Sequence, residues 1–337
     1  MQRDRRFDKG ELQSGLKLRC ERCGLETPEE LAFCSNCRHR VAPESTYDLS
    51  PDDFAYGPDR DAIQMVKATG VLPFLVKNLT LANFEKNLSS RLSREACNVT
   101  YPSKVDALVR HCAIAMSADA LPKVFIIEGG QPNAFTFGSE DHAFVVVNSG
   151  ILDLLTEREL TALFAHELGH VKSGHMLYHT VAEVLGGGIG VSASFLGLDI
   201  VSLPVRLALL SWHRESEVTA DRASLLVVND MTVIKSFMTK LVLWSSRGMV
   251  PSGGFDIEKD KAGLLDSASE LFRTHPLHVN RFKLAKDFFE SEQFRFARQK
   301  IERRLDLLRA LIPICRFCRA RKPMEELFCP ICGRCQT

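Results

Sequence analysis

The sequence lacks a charge excess of either sign, a long apolar run and an apolar N-terminal segment. Lys and Arg number 43 against 42 Asp and Glu, so the formal net charge of +1 gives no global attraction to nucleic acid or to an anionic membrane. The longest uncharged, mostly apolar run, residues 184–198, is shorter than the ~18 residues that a spanning helix needs. Because residues 1–10 are polar, no secretory signal is indicated and we expect a cytoplasmic protein.

Cysteine is present in unusual number, and its spacing carries the information. Eight of the 11 cysteines form four C-x-x-C pairs, with ten residues between the two pairs of each cluster. They are Cys20, Cys23, Cys34 and Cys37 in one cluster and Cys315, Cys318, Cys329 and Cys332 in the other. Four thiolates so spaced are typical of structural zinc, whereas a reducing cytoplasm disfavours disulfides. Cys335 stays open as an alternative ligand to Cys332.

The two clusters divide the chain into three predicted units. Residues 1–45 form an arm and a first zinc ribbon, residues 46–310 form one domain, and residues 311–337 form a second ribbon. A ribbon of this size cannot bury a sufficient core, so zinc binding is expected to supply its folding energy. Because the ribbons resemble each other in sequence, we expect them to pack together or to bind a protein partner.

The fold class predicted for the central domain is α+β, mostly helical, with a small sheet. Runs of β-branched and aromatic residues predict strands over residues 123–127, 134–137 and 143–147. Helices are predicted over residues 59–92 with an interruption near Gly70 and Pro73, over 103–116, and over nearly all of the chain after Gly150. The last of them, residues 293–312, is rich in basic residues, which favours either a solvated helix face or a patch for nucleic acid or a partner.

A candidate catalytic site lies in the sequence A-H-E-L-G-H at residues 165–170. Thr156 and Glu159 form a capping box that opens a helix through this motif. On that helix His166 and His170 stand four residues apart on one face, where two imidazoles can bind one zinc ion. Glu167 lies beside them and is placed to take a proton from water whose pKa the metal has lowered.

A third protein ligand is expected further along the chain. Glu217 and Asp221 also stand four residues apart, so Glu217 can ligate the metal while Asp221 accepts the outer ring N–H of a ligand histidine. Glu215 is an alternative ligand, but it lacks an acidic partner at the same offset. His175 and His179, which follow the motif, are interpreted as polar surface or capping residues.

These motifs together resemble the HtpX and CAAX-prenyl-protease family of zinc metallopeptidases. The likeness rests on H-E-x-x-H at 166–170, E-V-T-A-D at 217–221, P-N-A-F-T-F-G at 132–138, and T-H-P at 274–276 with an arginine six residues after its histidine. It implies a zincin-like domain with a sheet beside the zinc helix. The resemblance implies these residue roles: His166, His170 and Glu217 as zinc ligands, Glu167 as general base, Asp221 as the carboxylate behind a ligand, and His275 and Arg281 near the oxyanion.

The resemblance also indicates the substrate. Asn133, Ala134 and Phe135 correspond to the edge strand on which the family lays its peptide, so unfolded or extended polypeptide is the expected substrate. Many relatives carry membrane-spanning helices, some of them between the two ligand motifs. Here residues 181–210 are expected to form a helical hairpin or flap, with peripheral membrane contact as an alternative. Function is therefore predicted as a metalloendopeptidase with one catalytic and two structural Zn²⁺. The alternative is a latent or non-catalytic ribbon protein that binds unfolded protein or nucleic acid.

Overall fold

The computed structural model describes ten stretches of the chain. They are residues 17–28, 32–41, 48–68, 97–99, 103–128, 134–139, 142–176, 178–179, 203–245 and 278–311. The C-terminal cysteine cluster, His275 and Asn133 lie outside them, as does the greater part of the expected flap. Residues 203–210 of that predicted flap begin the long helix that carries Glu217.

A four-stranded sheet forms one side of the central domain. Strands β1 (Lys17–Arg19) and β2 (Glu26–Pro28) pair with each other near the N-terminal cysteines. The four strands of the domain's sheet are β3 (Cys97–Val99), β4 (Lys123–Ile127), β5 (Ala134–Ser139) and β6 (His142–Asn148), in the spatial order β3-β4-β6-β5. β4 and β6 run parallel, while β3 and β5 are antiparallel to their neighbours. The three predicted strands are confirmed, whereas β3, only three residues long, was not predicted. Within the described residues β5 is an edge of this sheet.

Helices make up most of the described domain, which confirms the α+β prediction in its coarse form. Their bounds are α1 Gly57–Ala68, α2 Lys104–Ala115, α3 Ser149–Leu154, α4 Glu157–Lys172, α5 Leu203–Val228, α6 Met231–Ser245, α7 His278–Phe289 and α8 Glu292–Leu311. No described helix is both long and apolar enough to cross a membrane. Apolar residues of α2, α4, α5 and β6 contribute to one buried core, which therefore joins the sheet to the helices.

The start of α4 is held by the predicted capping box. The Thr156 hydroxyl accepts from the Glu159 N–H, and the Glu159 carboxylate accepts from the Thr156 N–H at 2.7 Å. The same carboxylate also accepts from Lys240 of α6 at 2.7 Å and from Ser236 at 2.6 Å. Burial raises the pKa of Glu159, but these donors outweigh it and lower the pKa to about 2. The carboxylate is therefore ionised at neutral pH and ties the zinc-motif helix to α6.

The crossing of α4 and α5 is unusually close at Gly169. A Cβ added there would lie 2.7 Å from the Ala223 Cβ and 3.1 Å from the Ala220 Cα. Both distances are shorter than ordinary van der Waals contact, so only glycine fits between the two helices without a shift of the backbone. This approach brings the face of α5 that carries Glu217 against the histidine face of α4.

The N-terminal cysteine cluster is docked on the domain. Arg38 donates to the carbonyls of Leu121 at 3.1 Å and Pro122 at 2.9 Å, and it pairs with the buried Asp106 at 3.3 Å. A backbone bond runs from the Leu121 N–H to the Arg38 carbonyl at 2.9 Å, and Phe33 joins the domain's buried core. The small unit thus obtains from its neighbour the apolar burial that its own length cannot supply.

The basic residues of α8 mostly face the chain's own acceptors. Arg298 donates to the carbonyl of Leu226 at 2.6 Å, near the C-terminal end of α5, where unpaired carbonyls favour a cation. Lys300 pairs with Asp53 at 2.9 Å and Arg303 with Asp48 at 3.3 Å. These contacts favour a structural use of the described basic residues over a patch for nucleic acid.

We expect Gly169→Ala to destabilise the protein although alanine is the better helix former. The gain in helix propensity is ~1 kcal/mol, whereas overpacking of a tight contact typically costs ~1–3 kcal/mol, and here one of the opposed atoms is backbone. Gly57→Ala is the matched control, because a Cβ at that position meets nothing within 4 Å. Denaturant unfolding should show a lower midpoint for the first variant only; equal midpoints would contradict the close crossing.

Candidate metallopeptidase site

Three predicted ligand residues converge at the crossing of α4 and α5. The His166 Nε2 lies 3.5 Å from one Glu217 carboxylate oxygen, and the His170 Nε2 lies 3.4 Å from the other. Each of the three residues is at most 5% exposed, so the atoms form a compact, buried group. Ligand atoms on a tetrahedron with bonds of about 2.1 Å are about 3.4 Å apart, so the donor set fits zinc in spacing and in chemistry.

The electrostatics of the two histidines differ. Burial lowers the pKa of His170 to about 3, which leaves its ring neutral, as a metal ligand must be. Burial also lowers the pKa of His166, but hydrogen bonds and charge from Asp221 and Glu217 outweigh it and raise the pKa to about 10. The carboxylates thus create a negative field at the point where the three ligand atoms meet.

A buried ion-pair network supports this field from behind. Asp221 accepts from the outer ring nitrogen of His166, Nδ1, at 3.1 Å. Arg281 donates to both Asp221 oxygens, from Nε at 2.6 Å and from Nη2 at 2.7 Å, and its Nη1 lies 2.9 Å from Glu217. Burial raises the pKa of Asp221, but the charge of Arg281 outweighs it and lowers the pKa to about 2. Asp221 is therefore ionised and held by two partners.

The candidate base, Glu167, contacts the sheet. Glu167 is 4% exposed, and its carboxylate accepts from the Thr136 hydroxyl of β5. Thr136 lies in the edge strand that contains Ala134 and Phe135, and Ala134 pairs in register with Val147. The edge strand therefore runs beside the carboxylate that follows the first ligand histidine.

The interpretation of His175 and His179 as surface or capping residues is wrong. His175 is 3% exposed, and its Nδ1 lies 3.2 Å from the Nδ1 of His170. His179 is partly buried, with its ring centroid 4.2 Å from that of His170 and 5.4 Å from that of Trp212. The short turn after α4, with Gly174 at φ 67°, folds this segment back onto the zinc helix, which sequence periodicity does not reveal.

Two residues of the site went unnoticed in the sequence. Thr136 sits in a strand whose pattern does not indicate that its hydroxyl meets Glu167. Asp59 of α1 is 1% exposed and lies 3.1 Å from the Nε2 of His175, although 116 residues separate them. Neither residue belongs to a recognisable short motif, so only the tertiary packing could have identified them.

The first cysteine cluster also assembles in the described residues. The Sγ atoms of Cys20 and Cys37 are 3.4 Å apart, and those of Cys23 and Cys34 are 3.6 Å apart. A bond from the backbone of Leu25 is the largest influence on Cys23 and helps to lower its pKa to about 6. The four sulfurs lie within 4.8 Å of one another, an arrangement compatible with a tetrahedral metal site.

A histidine pair and a glutamate around one point, with a second glutamate beside an edge strand, form the arrangement expected of a zinc metallopeptidase. Comparison with known proteins agrees with that class. The description "Peptidase family M48" matches residues 102–288, more than half of the chain. The chain belongs to peptidase family M48.

Similar proteins carry protease names. "Plastoglobule-localized metallopeptidase 48, chloroplastic" of Arabidopsis thaliana is 31% identical over 61% of this chain and 59% of its own length. "Protease HtpX homolog" of Sulfurovum sp. (strain NBC37-1) is 32% identical over 51% of this chain and 69% of its own length. The homologue of the same name in Campylobacter curvus (strain 525.92) is 28% identical, over 63% and 85%. The chain thus spans less than two thirds of the Arabidopsis protein, and no solved structure gave a significant match.

We expect Arg281→Met to lower the free energy of unfolding by about 3–5 kcal/mol, because it leaves two buried carboxylates without their shared cation. Arg158→Met is the control: that arginine is 61% exposed and pairs with Asp230 at 2.8 Å, an interaction worth ~1 kcal/mol or less. Urea unfolding of both variants checks the contrast. Equal losses would show that the buried network does not stabilise the site.

Proposed function

We propose that the protein is a zinc-dependent endopeptidase that cleaves unfolded or extended polypeptide at the site between α4, α5 and β5. One observation carries this proposal: the ligand group, the candidate base and the sheet edge meet at one place, where Thr136 of β5 donates to Glu167. A substrate laid along β5 would bring its backbone to that carboxylate and to the ligand group. The activity on unfolded chains is specific to this proposal and extends beyond family membership.

Each described site residue has a proposed role. His166, His170 and Glu217 would hold Zn²⁺, which when bound polarises a peptide carbonyl and acidifies water. Glu167 accepts a proton from the attacking water and passes it to the leaving amine nitrogen. Asp221 orients His166 through Nδ1, and Arg281 holds Asp221 and Glu217 in place. The predicted oxyanion roles of Arg281 and of His275 stay predictions.

The substrate class follows from the edge strand. Pairing with β5 uses backbone N–H and C=O groups, which every extended chain offers and which a folded protein has already paired. Such binding selects for disorder more than for sequence. This argument supports unfolded or damaged protein as the substrate and matches the expectation for Ala134 and Phe135.

Further zinc is proposed for the cysteine clusters. Cys20, Cys23, Cys34 and Cys37 would hold one structural ion, and the C-terminal cluster, outside the described residues, would hold a second. Thiolates must stay reduced to bind zinc, which supports a reducing, cytoplasmic location. Contacts between the ribbons or with a partner protein remain part of the proposal; the first cluster contacts the domain through Arg38 and through the buried Phe33.

We expect Glu167→Gln to abolish cleavage of casein, used as an unfolded substrate, while zinc content stays at the wild-type level. The amide keeps the shape of the side chain but cannot accept the proton, and loss of a general base costs about 10²–10⁴ in rate. Parallel measurement of casein cleavage and metal content checks this. Equal cleavage by the variant would overturn the assignment of Glu167.

Backbone recognition predicts a distinctive response to N-methylated substrates. In a cleavable peptide, N-methyl groups placed one position at a time should block cleavage at alternate residues, because strand pairing uses every second N–H of the added strand. Side-chain substitutions at the same positions serve as the control and should change the rate less. Cleavage that follows side-chain identity and ignores N-methylation would exclude binding along β5.

A further inference from the structure

The two ligand histidines are supported in different ways, although they lie one turn apart on α4. His166 meets a carboxylate directly, since its Nδ1 lies 3.1 Å from Asp221. His170 instead meets a second histidine, with 3.2 Å between its Nδ1 and the Nδ1 of His175. A ligand histidine normally donates its outer N–H to a carboxylate, carbonyl or water, so the second arrangement requires an acceptor nitrogen on His175.

The required proton positions are consistent along the whole chain of contacts. If the Nε2 of His170 binds a metal, its proton sits on Nδ1 and is donated to the Nδ1 of His175. The proton of His175 must then sit on Nε2, and that nitrogen lies 3.1 Å from the Asp59 Oδ2. Each bond has one donor and one acceptor, so Asp59 selects a single tautomer for both rings.

Asp59 is itself held firmly. Its Oδ1 accepts from the Trp212 Nε1 at 2.7 Å and its Oδ2 accepts from the Thr219 hydroxyl at 2.5 Å. Burial raises the pKa of Asp59, but His175 and these two donors outweigh it and keep the pKa below its ordinary value. The carboxylate is 1% exposed and ionised, and both donors belong to α5, the helix that also carries Glu217.

We propose that Asp59 and His175 are positioning residues that orient the zinc ligand His170 through the sequence of bonds Asp59–His175–His170. The inference rests on the proposed function in one respect, that His170 binds zinc. Asp59 precedes residue 102 and therefore lies outside the region that matches family M48. Part of the proposed support of His170 thus comes from outside that region. Helix α1 therefore completes the support of the metal site and does not merely pack against α5.

The test measures zinc affinity of the full-length protein in a series of chelator-buffered zinc concentrations, with metal content as the readout. Zinc that the wild type binds and His166→Ala does not bind is assigned to this site. Asp59→Asn and His175→Phe should each raise the free zinc concentration at half occupancy by about 10-fold or more, the usual effect of losing such a partner. The double variant should bind zinc no more weakly than the weaker-binding single variant, because both substitutions break the same sequence of bonds.

Glu159→Gln is the matched control, since it removes another buried, multiply bonded carboxylate at the far end of the same zinc helix. It should lower the unfolding temperature and leave the zinc affinity within about 2-fold of wild type. That change is smaller than the ~10-fold loss expected for Asp59→Asn or His175→Phe. His175→Phe keeps an aromatic ring beside Trp212, so it tests the sequence of bonds Asp59–His175–His170 even if Asp59→Asn folds poorly.

The outcomes separate the two hypotheses. The proposed role of Asp59 and His175 alone would be overturned by wild-type zinc affinity in folded Asp59→Asn or in His175→Phe. Losses of zinc affinity that add in the double variant would overturn it as well. If the wild type binds no more zinc than His166→Ala, the proposed function is overturned, and the proposed role of Asp59 and His175 with it.

Discussion

Two helices can bring their backbones into contact only where no Cβ stands between them, and Gly169 provides that place for α4 and α5. The glycine lies inside the histidine motif, between His166 and His170. Its partners on α5, Ala220 and Ala223, follow Glu217 by three and six residues. One close crossing therefore sets both the packing of the domain and the 3.4–3.5 Å spacing of the ligand atoms.

That approach forces several charges into a small buried volume, and the remaining contacts neutralise them. Glu217 and Asp221 share Arg281, while Asp59 is held by donors from α5. A carboxylate buried without such partners would take up a proton and cease to support a ligand histidine. Glu217, Asp221 and Asp59 thus each have a cation or several hydrogen-bond donors.

The sheet adds the feature that extends a candidate metal site to a proposed peptide-cleaving site. β5 is short, lies at an edge, and places Thr136 against Glu167. Its neighbour in the sheet, β6, carries the buried valines that fix the register of the edge strand to the core. The docked cysteine cluster contacts the segment just before β4, through Arg38 and through the pairing of His39 with Ala120.

The sequence by itself determined what depends on local chemistry. The capping box, the spacing of His166 and His170 on one helix face, the three strands and the family can all be recognised within short segments. The structure also brings Glu217 to those histidines, as its offset from Asp221 led us to expect. The offset from Glu217 also predicted Asp221 as an acceptor behind a histidine, whereas only the tertiary structure decided what stands behind His170. Asp59 reaches His175 across 116 residues because α1 packs on α5, and neither periodicity nor a motif encodes a contact made by the packing of distant helices.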